Sequence, residues 1–151
     1  MLLILILTSC GGDSSYYEQF TDDKAFDERI LDLNSSIEKI RSSEKGKLIK
    51  DDINLLKYVY EIGENDTYIV SYLFDEKGCY EIGIDGYFTT EAEANNIVEG
   101  LKSTMSISKF ETPTQDNQLS RWKMADGSIT VDLDYKDTSR GLFLVTIFAN
   151  E

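Results

Sequence analysis

The chain has 151 residues, 41% of them hydrophobic, which excludes a disordered segment and suffices for one domain with a real core. Its 28 acidic and 15 basic side chains give a formal net charge of −13, which excludes a nucleic-acid surface, because phosphates are repelled and no Lys/Arg cluster offsets the repulsion. Histidine is absent, which removes Ser-His-Asp and Cys-His catalysis, histidine-based zinc sites and the usual base near neutral pH.

The chain opens on an uncharged aliphatic run, Leu2 to Leu7. Thr8-Ser9-Cys10 follows, and then the polar stretch Gly11-Gly12-Asp13-Ser14-Ser15. Leu7-Thr8-Ser9-Cys10 resembles the lipobox of bacterial lipoproteins, a motif of apolar, small, small, Cys. The resemblance implies that diacylglycerol is attached to the Cys10 thiol. It also implies that a signal peptidase cuts between Ser9 and Cys10 and that the new amino group is acylated. Residues 1–9 are then a signal peptide, 10–19 a flexible tether and 20–151 a single domain.

No Lys or Arg precedes Cys10, and the apolar run is shorter than the usual h-region of roughly 7–15 residues. We therefore expect the true start to lie upstream. The alternative, an apolar N-terminus on a cytosolic protein, leaves an aliphatic run exposed to aggregation. The run is too short to span a bilayer, which takes about 20 apolar residues. Two or more acyl chains hold a protein stably, at about 0.8 kcal/mol per buried methylene. The acidic surface is itself repelled by anionic head groups, so the lipid must provide the attachment.

From Asp22 to about Arg41 the apolar residues Phe26, Ile30, Leu33, Ile37 and Ile40 are spaced by four and three, which predicts one amphipathic helix. Leu48 to Leu56 is ambiguous between a helical turn and the approach to a strand. From Lys57 the period becomes two. Three antiparallel strands are expected, ending near Ile62, over Thr67 to Phe74 and over Cys79 to Asp85, with Gly78 in the left-handed position of the second turn. Thr90 and Glu93 form a capping box, and Ala94, Ile97, Val98, Leu101 and Met105 share one face of the helix that follows. Gly100, inside that helix, suggests close approach to the sheet.

Four more strands are expected: Ser106 to Phe110, Leu119 to Ala125, Ile129 to Tyr135 and Leu142 to Ala149. Asp126-Gly127 is a strong hairpin signal. The almost continuous apolarity of Leu142 to Ala149 predicts a central strand covered on both faces. The fold expected is α+β, a two-layer antiparallel sheet of about seven strands with two helices on one face.

Little chemistry is visible. No nucleotide-binding glycine loop occurs, and a single cysteine in the domain, Cys79, cannot build a thiolate metal site. With Cys10 lipidated, Cys79 has no disulfide partner and reads as a small packed residue. Asp132 and Asp134 share a strand face, with Asp137 in the next turn, a spacing that could ligate Ca²⁺ but fits a solvated face better. The tyrosine-rich strands and Trp122, between Arg121 and Lys123, offer possible partner-binding residues, Tyr68, Tyr72 and Trp122, although packed aromatics are commoner.

The sequence thus leads us to expect a membrane-anchored envelope lipoprotein with no catalysis, cofactor or metal site of its own. It would act by binding another envelope protein through its sheet or first helix. One alternative is an acidic inhibitor or immunity-type lipoprotein against a basic toxin or hydrolase. Another is a glycan hydrolase built on two carboxylates about 5–10 Å apart in a cleft.

Overall fold

The computed structural model describes residues 15–151. Cys10, the expected signal peptide of residues 1–9 and residues 11–14 of the expected tether lie outside them. Helices α1 (Tyr16–Asp22), α2 (Phe26–Ile30) and α3 (Ile37–Ser43) lead into strands β1 (Lys47–Asp52), β2 (Leu55–Ile62), β3 (Asp66–Asp75) and β4 (Gly78–Tyr87). Helix α4 (Glu91–Ser106) follows, then β5 (Thr114–Asp116), β6 (Leu119–Lys123), β7 (Ile129–Asp134) and β8 (Leu142–Ala149). The strands form one eight-stranded antiparallel sheet in the order β1-β2-β3-β4-β8-β7-β6-β5. It is two four-stranded meanders joined along β4 and β8, with α4 as the connection.

Period-two alternation divides the sheet into two faces. Tyr58, Tyr60, Tyr68, Val70, Tyr72, Ile82, Ile84, Val131, Phe143, Val145 and Ile147 point to one side and are buried. The helices contribute Phe20, Phe26, Ile30, Leu33, Ile40, Ala94, Ile97, Val98, Leu101 and Met105 to that same core. The α+β class is as expected, with eight strands and four α-helices in place of seven and two.

The expected first helix is broken. Asn34 takes φ 64°, a left-handed conformation that stops a helix. The Ser36 hydroxyl then accepts from Lys39 N and caps α3. The apolar stripe survives the break because Leu33 stays in the core between the helices. Ordered chain also begins earlier than expected. Ser15 and Glu18 form a reciprocal capping box, so Tyr16 to Gln19, assigned above to the tether, lie in α1.

The capping box of Thr90 with Glu93 and the buried face of α4 are as read from the sequence. Gly100 does allow a close approach, but to α1 rather than to the sheet: a Cβ there would lie 2.2 Å from the Tyr17 ring. Gly78 occupies the expected turn with φ +123°. Segment 106–110 is not a strand. Helix α4 runs through Ser106, Ile107 is exposed, and Phe110 makes only an isolated bridge to Met124. Strand β8 is central, as expected, but covered on one face only: Phe143, Val145 and Ile147 are buried while Leu144 is 39% exposed. Among the described residues, no helix covers the opposite face of the sheet.

Candidate functional site

The most organised polar chemistry lies between the first three helices and the sheet. Arg29 follows Phe26 by three positions, so helical spacing turns it inward with the apolar residues. Its guanidinium meets Glu44 Oε1 at 3.1 Å and donates to Tyr72 Oη at 3.0 Å. It also lies over the Tyr60 ring, 5.3 Å from the centroid. Lys24 Nζ reaches Asp32 at 2.7 Å and Glu44 at 2.8 Å. The Tyr72 hydroxyl donates to Glu44 at 2.5 Å, and Tyr60 donates to the other Glu44 oxygen. Two cations and two carboxylates thus balance.

Burial pushes the Glu44 carboxyl up, but the Arg29 charge and the hydrogen bonds from Lys24, Tyr60 and Tyr72 outweigh it and hold it below the ordinary value. Arg29 is 1% exposed and the Glu44 side chain is fully covered. Arg29 Nη2 is buried without a hydrogen-bond partner. A cluster so enclosed meets no substrate. Its chemistry is that of a clasp fixing the short helices to the sheet.

A second polar cluster locks α1 to α4. The half-buried Tyr16 hydroxyl lies 3.0 Å from Asp66 Oδ2 and 3.0 Å from Glu93 Oε1. Its single proton satisfies one carboxylate at a time. Those two hydrogen bonds, Asp66 first, push the phenol up to about 12. The other Asp66 oxygen accepts from Thr89 N at 2.6 Å and Thr89 Oγ1 at 2.7 Å. A hydrolase would need such carboxylates to flank an open cleft. Here the phenol occupies the space between them.

Tyr68, Tyr72 and Trp122 are the sequence-level partner-binding candidates, and all three face the core. Trp122 is 2% exposed, and the two tyrosines less. Tyr68 stacks on Tyr60 at 4.8 Å and donates to Phe20 O at 3.2 Å, and Tyr72 belongs to the buried clasp. They are structural residues with no surface to offer a partner. Their alternation on the strands was legible, but which face the helices cover was not.

Cys79 is free and buried, and burial pushes its thiol up to about 12. Asp132 is engaged by Arg121 through two hydrogen bonds of 2.7 and 2.6 Å, and Asp134 by Lys136 at 3.1 Å. Among the described residues no group of three or more His, Cys, Asp or Glu is placed to hold a metal ion.

What remains accessible is the open face of the sheet. One row across it runs Val59, Ile69, Asp85, Leu144, Asp134 and Leu119. Tyr87 and Leu142 pair in the adjoining row. A groove of about 210 Å³ opens among Asp85, Tyr87, Asp134, Lys136, Leu142 and Leu144. Asp85 is half-buried there, and burial pushes its carboxyl up against the opposing pull of Lys57. Tyr87 is 45% exposed. None of this was visible in the sequence, because pairing of β4 with β8 brings together residues some 60 positions apart.

No protein-family model matches the chain, and no curated protein or solved structure matches it either.

Proposed function

We propose that this protein is a lipid-anchored bacterial envelope lipoprotein whose α+β domain binds another envelope protein and performs no chemistry itself. The observation that carries the reading is Leu7-Thr8-Ser9-Cys10, a lipobox-like motif set just ahead of a folded domain. Helix α1 starts at Tyr16, so only five residues separate it from Cys10. At about 3.3–3.6 Å per residue this tether keeps the domain within roughly 20 Å of the membrane surface. The polar clusters support binding over catalysis: each is closed by its own side chains, and the accessible surface is a sheet face.

The test is metabolic labelling with an alkyne analogue of palmitate in cells producing the full chain. Label should enter the wild type, the protein should sediment with membranes, and Cys10→Ala should lose both properties. A Cys10→Ala variant that still labels and sediments would overturn the anchor.

A second reading, an acidic inhibitor of a basic toxin or hydrolase, draws on the net charge of −13. Steep weakening of its association with salt would favour it.

A further inference from the structure

We infer that the open sheet face, centred on the Asp85 groove, is the docking surface for a basic protein partner that seats an arginine or lysine between Asp85 and Tyr87. The inference rests on the reading of the domain as a binding module and gives that module a surface and a partner class.

Three features carry it. The first is position. Asp85 has Ile69 as its cross-strand neighbour on one side and Leu144 on the other, so a carboxylate stands in an aliphatic row. Water reaches it poorly, and a partly desolvated charge is costly unless a counter-charge faces it. The second is the lack of that counter-charge. Asp134, which lines the same groove, is engaged by Lys136, and Asp132 by Arg121. Asp85 makes no ion pair among the described residues. Lys136, in the same groove, is already paired with Asp134, and Lys57 lies in the adjoining row, two strands away. The third is the wall of the groove. Tyr87 presents an exposed ring beside the carboxylate, and a tyrosine face attracts a guanidinium or ammonium. Leu142 and Leu144 would cover the aliphatic stem of the incoming side chain.

Charge complementarity selects the occupant. A second copy would bring the same carboxylate and a net charge of −13 to the same face. An anionic lipid surface is disfavoured for the same reason. A basic protein is attracted over a distance and then supplies the missing cation. Burial already pushes the Asp85 carboxyl up, and an arginine facing it would reverse that shift.

The experiment is site-specific photocrosslinking with the full anchored chain in the cells that produce it. A photoreactive phenylalanine analogue replaces Tyr87, Leu144 or, on the solvent side of α4, Glu99. Crosslinks are expected from Tyr87 and Leu144 and not from Glu99, to a protein whose linked peptide carries Arg or Lys. Asp85→Lys, in the Leu144 probe background, should cut the yield about tenfold or more, while Asp85→Glu retains it. Thermal melts of both variants verify folding, and Tyr87→Ala is the second variant should Asp85→Lys fail to fold. Crosslinks from Glu99 alone would overturn the surface and leave the binding-module reading standing. Crosslinks from no position would overturn both. A linked peptide from a second copy, a lipid adduct, or a yield indifferent to Asp85→Lys would overturn the partner class.

Discussion

Replacing Glu44 with alanine should be among the most damaging single substitutions in this domain. The Glu44 carboxylate is fully covered and accepts from Lys24 at 2.8 Å, from Arg29 at 3.1 Å and from Tyr72 at 2.5 Å, with Tyr60 on its second oxygen. Its removal leaves the Arg29 guanidinium buried, with Nη2 already unpaired. Breaking one side of a buried pair costs about 3–5 kcal/mol. In a domain of this size that lowers the melting temperature by roughly 6–20 °C.

The pH dependence has a definite sign. The Glu44 carboxyl is held below its unfolded value, so its contribution is complete above that value and is lost as pH falls through the folded one. Glu44→Gln, which keeps the shape and removes the charge, should flatten the acid arm of the stability curve below about pH 4. The double variant Arg29→Met with Glu44→Leu should recover much of the loss, because it leaves no orphaned charge. Urea titrations from pH 3 to pH 8 measure all three. A Glu44→Ala cost under about 1 kcal/mol at pH 7 with an unchanged acid arm would refute the clasp.

Further outcomes follow from other contacts. Gly100→Ala should destabilise by about 1–2 kcal/mol despite better helix propensity, because its Cβ meets the Tyr17 ring at 2.2 Å. In a Tyr17→Ala background the same change should become stabilising, and denaturant melts of the four proteins decide it. Cys79 should resist iodoacetamide at pH 8 in the folded protein and react promptly in urea, since burial raises its thiol to about 12; prompt native labelling followed by mass spectrometry would show an opening near β4. Burial raises the phenols of Tyr58, Tyr60, Tyr68 and Tyr72. Their contribution is therefore complete below the unfolded tyrosine value, about pH 10, and stability must fall as pH rises beyond it. Tyrosinate absorbance and urea melts at pH 8, 10 and 11 check this, and a stability unchanged to pH 11 would contradict it.

The sequence revealed what local periodicity controls. Helix α4 was legible because Thr90, Glu93 and the stripe from Ala94 to Met105 agree with one another. The break before α3 was not, because Leu33 keeps the apolar spacing while the chain leaves the helix; Asn34 and Ser36 were the available signals. Strand β1 lacked a pattern because it is an edge with all six residues exposed, guarded by Lys47, Lys50, Asp51 and Asp52. The Ser15-x-x-Glu18 signature would have located α1. Glycine was read correctly at 78 and misassigned at 100, where the neighbour is a ring from a distant helix. The clasp could not be read at all, since Lys24, Arg29, Asp32, Glu44, Tyr60 and Tyr72 meet only through the packing of three helices on two strands. The open face was hidden likewise, because alternation marks two faces without telling which one the helices take.

The anchor is the point on which the functional account turns, and intact-mass spectrometry of the protein purified from its own membranes examines it directly. The account predicts an N-terminal peptide beginning at Cys10 and carrying diacylglycerol, with acyl on the amino group. A mature chain that keeps Ser9 and the residues before it, with an unmodified Cys10 sulfur, would contradict the account.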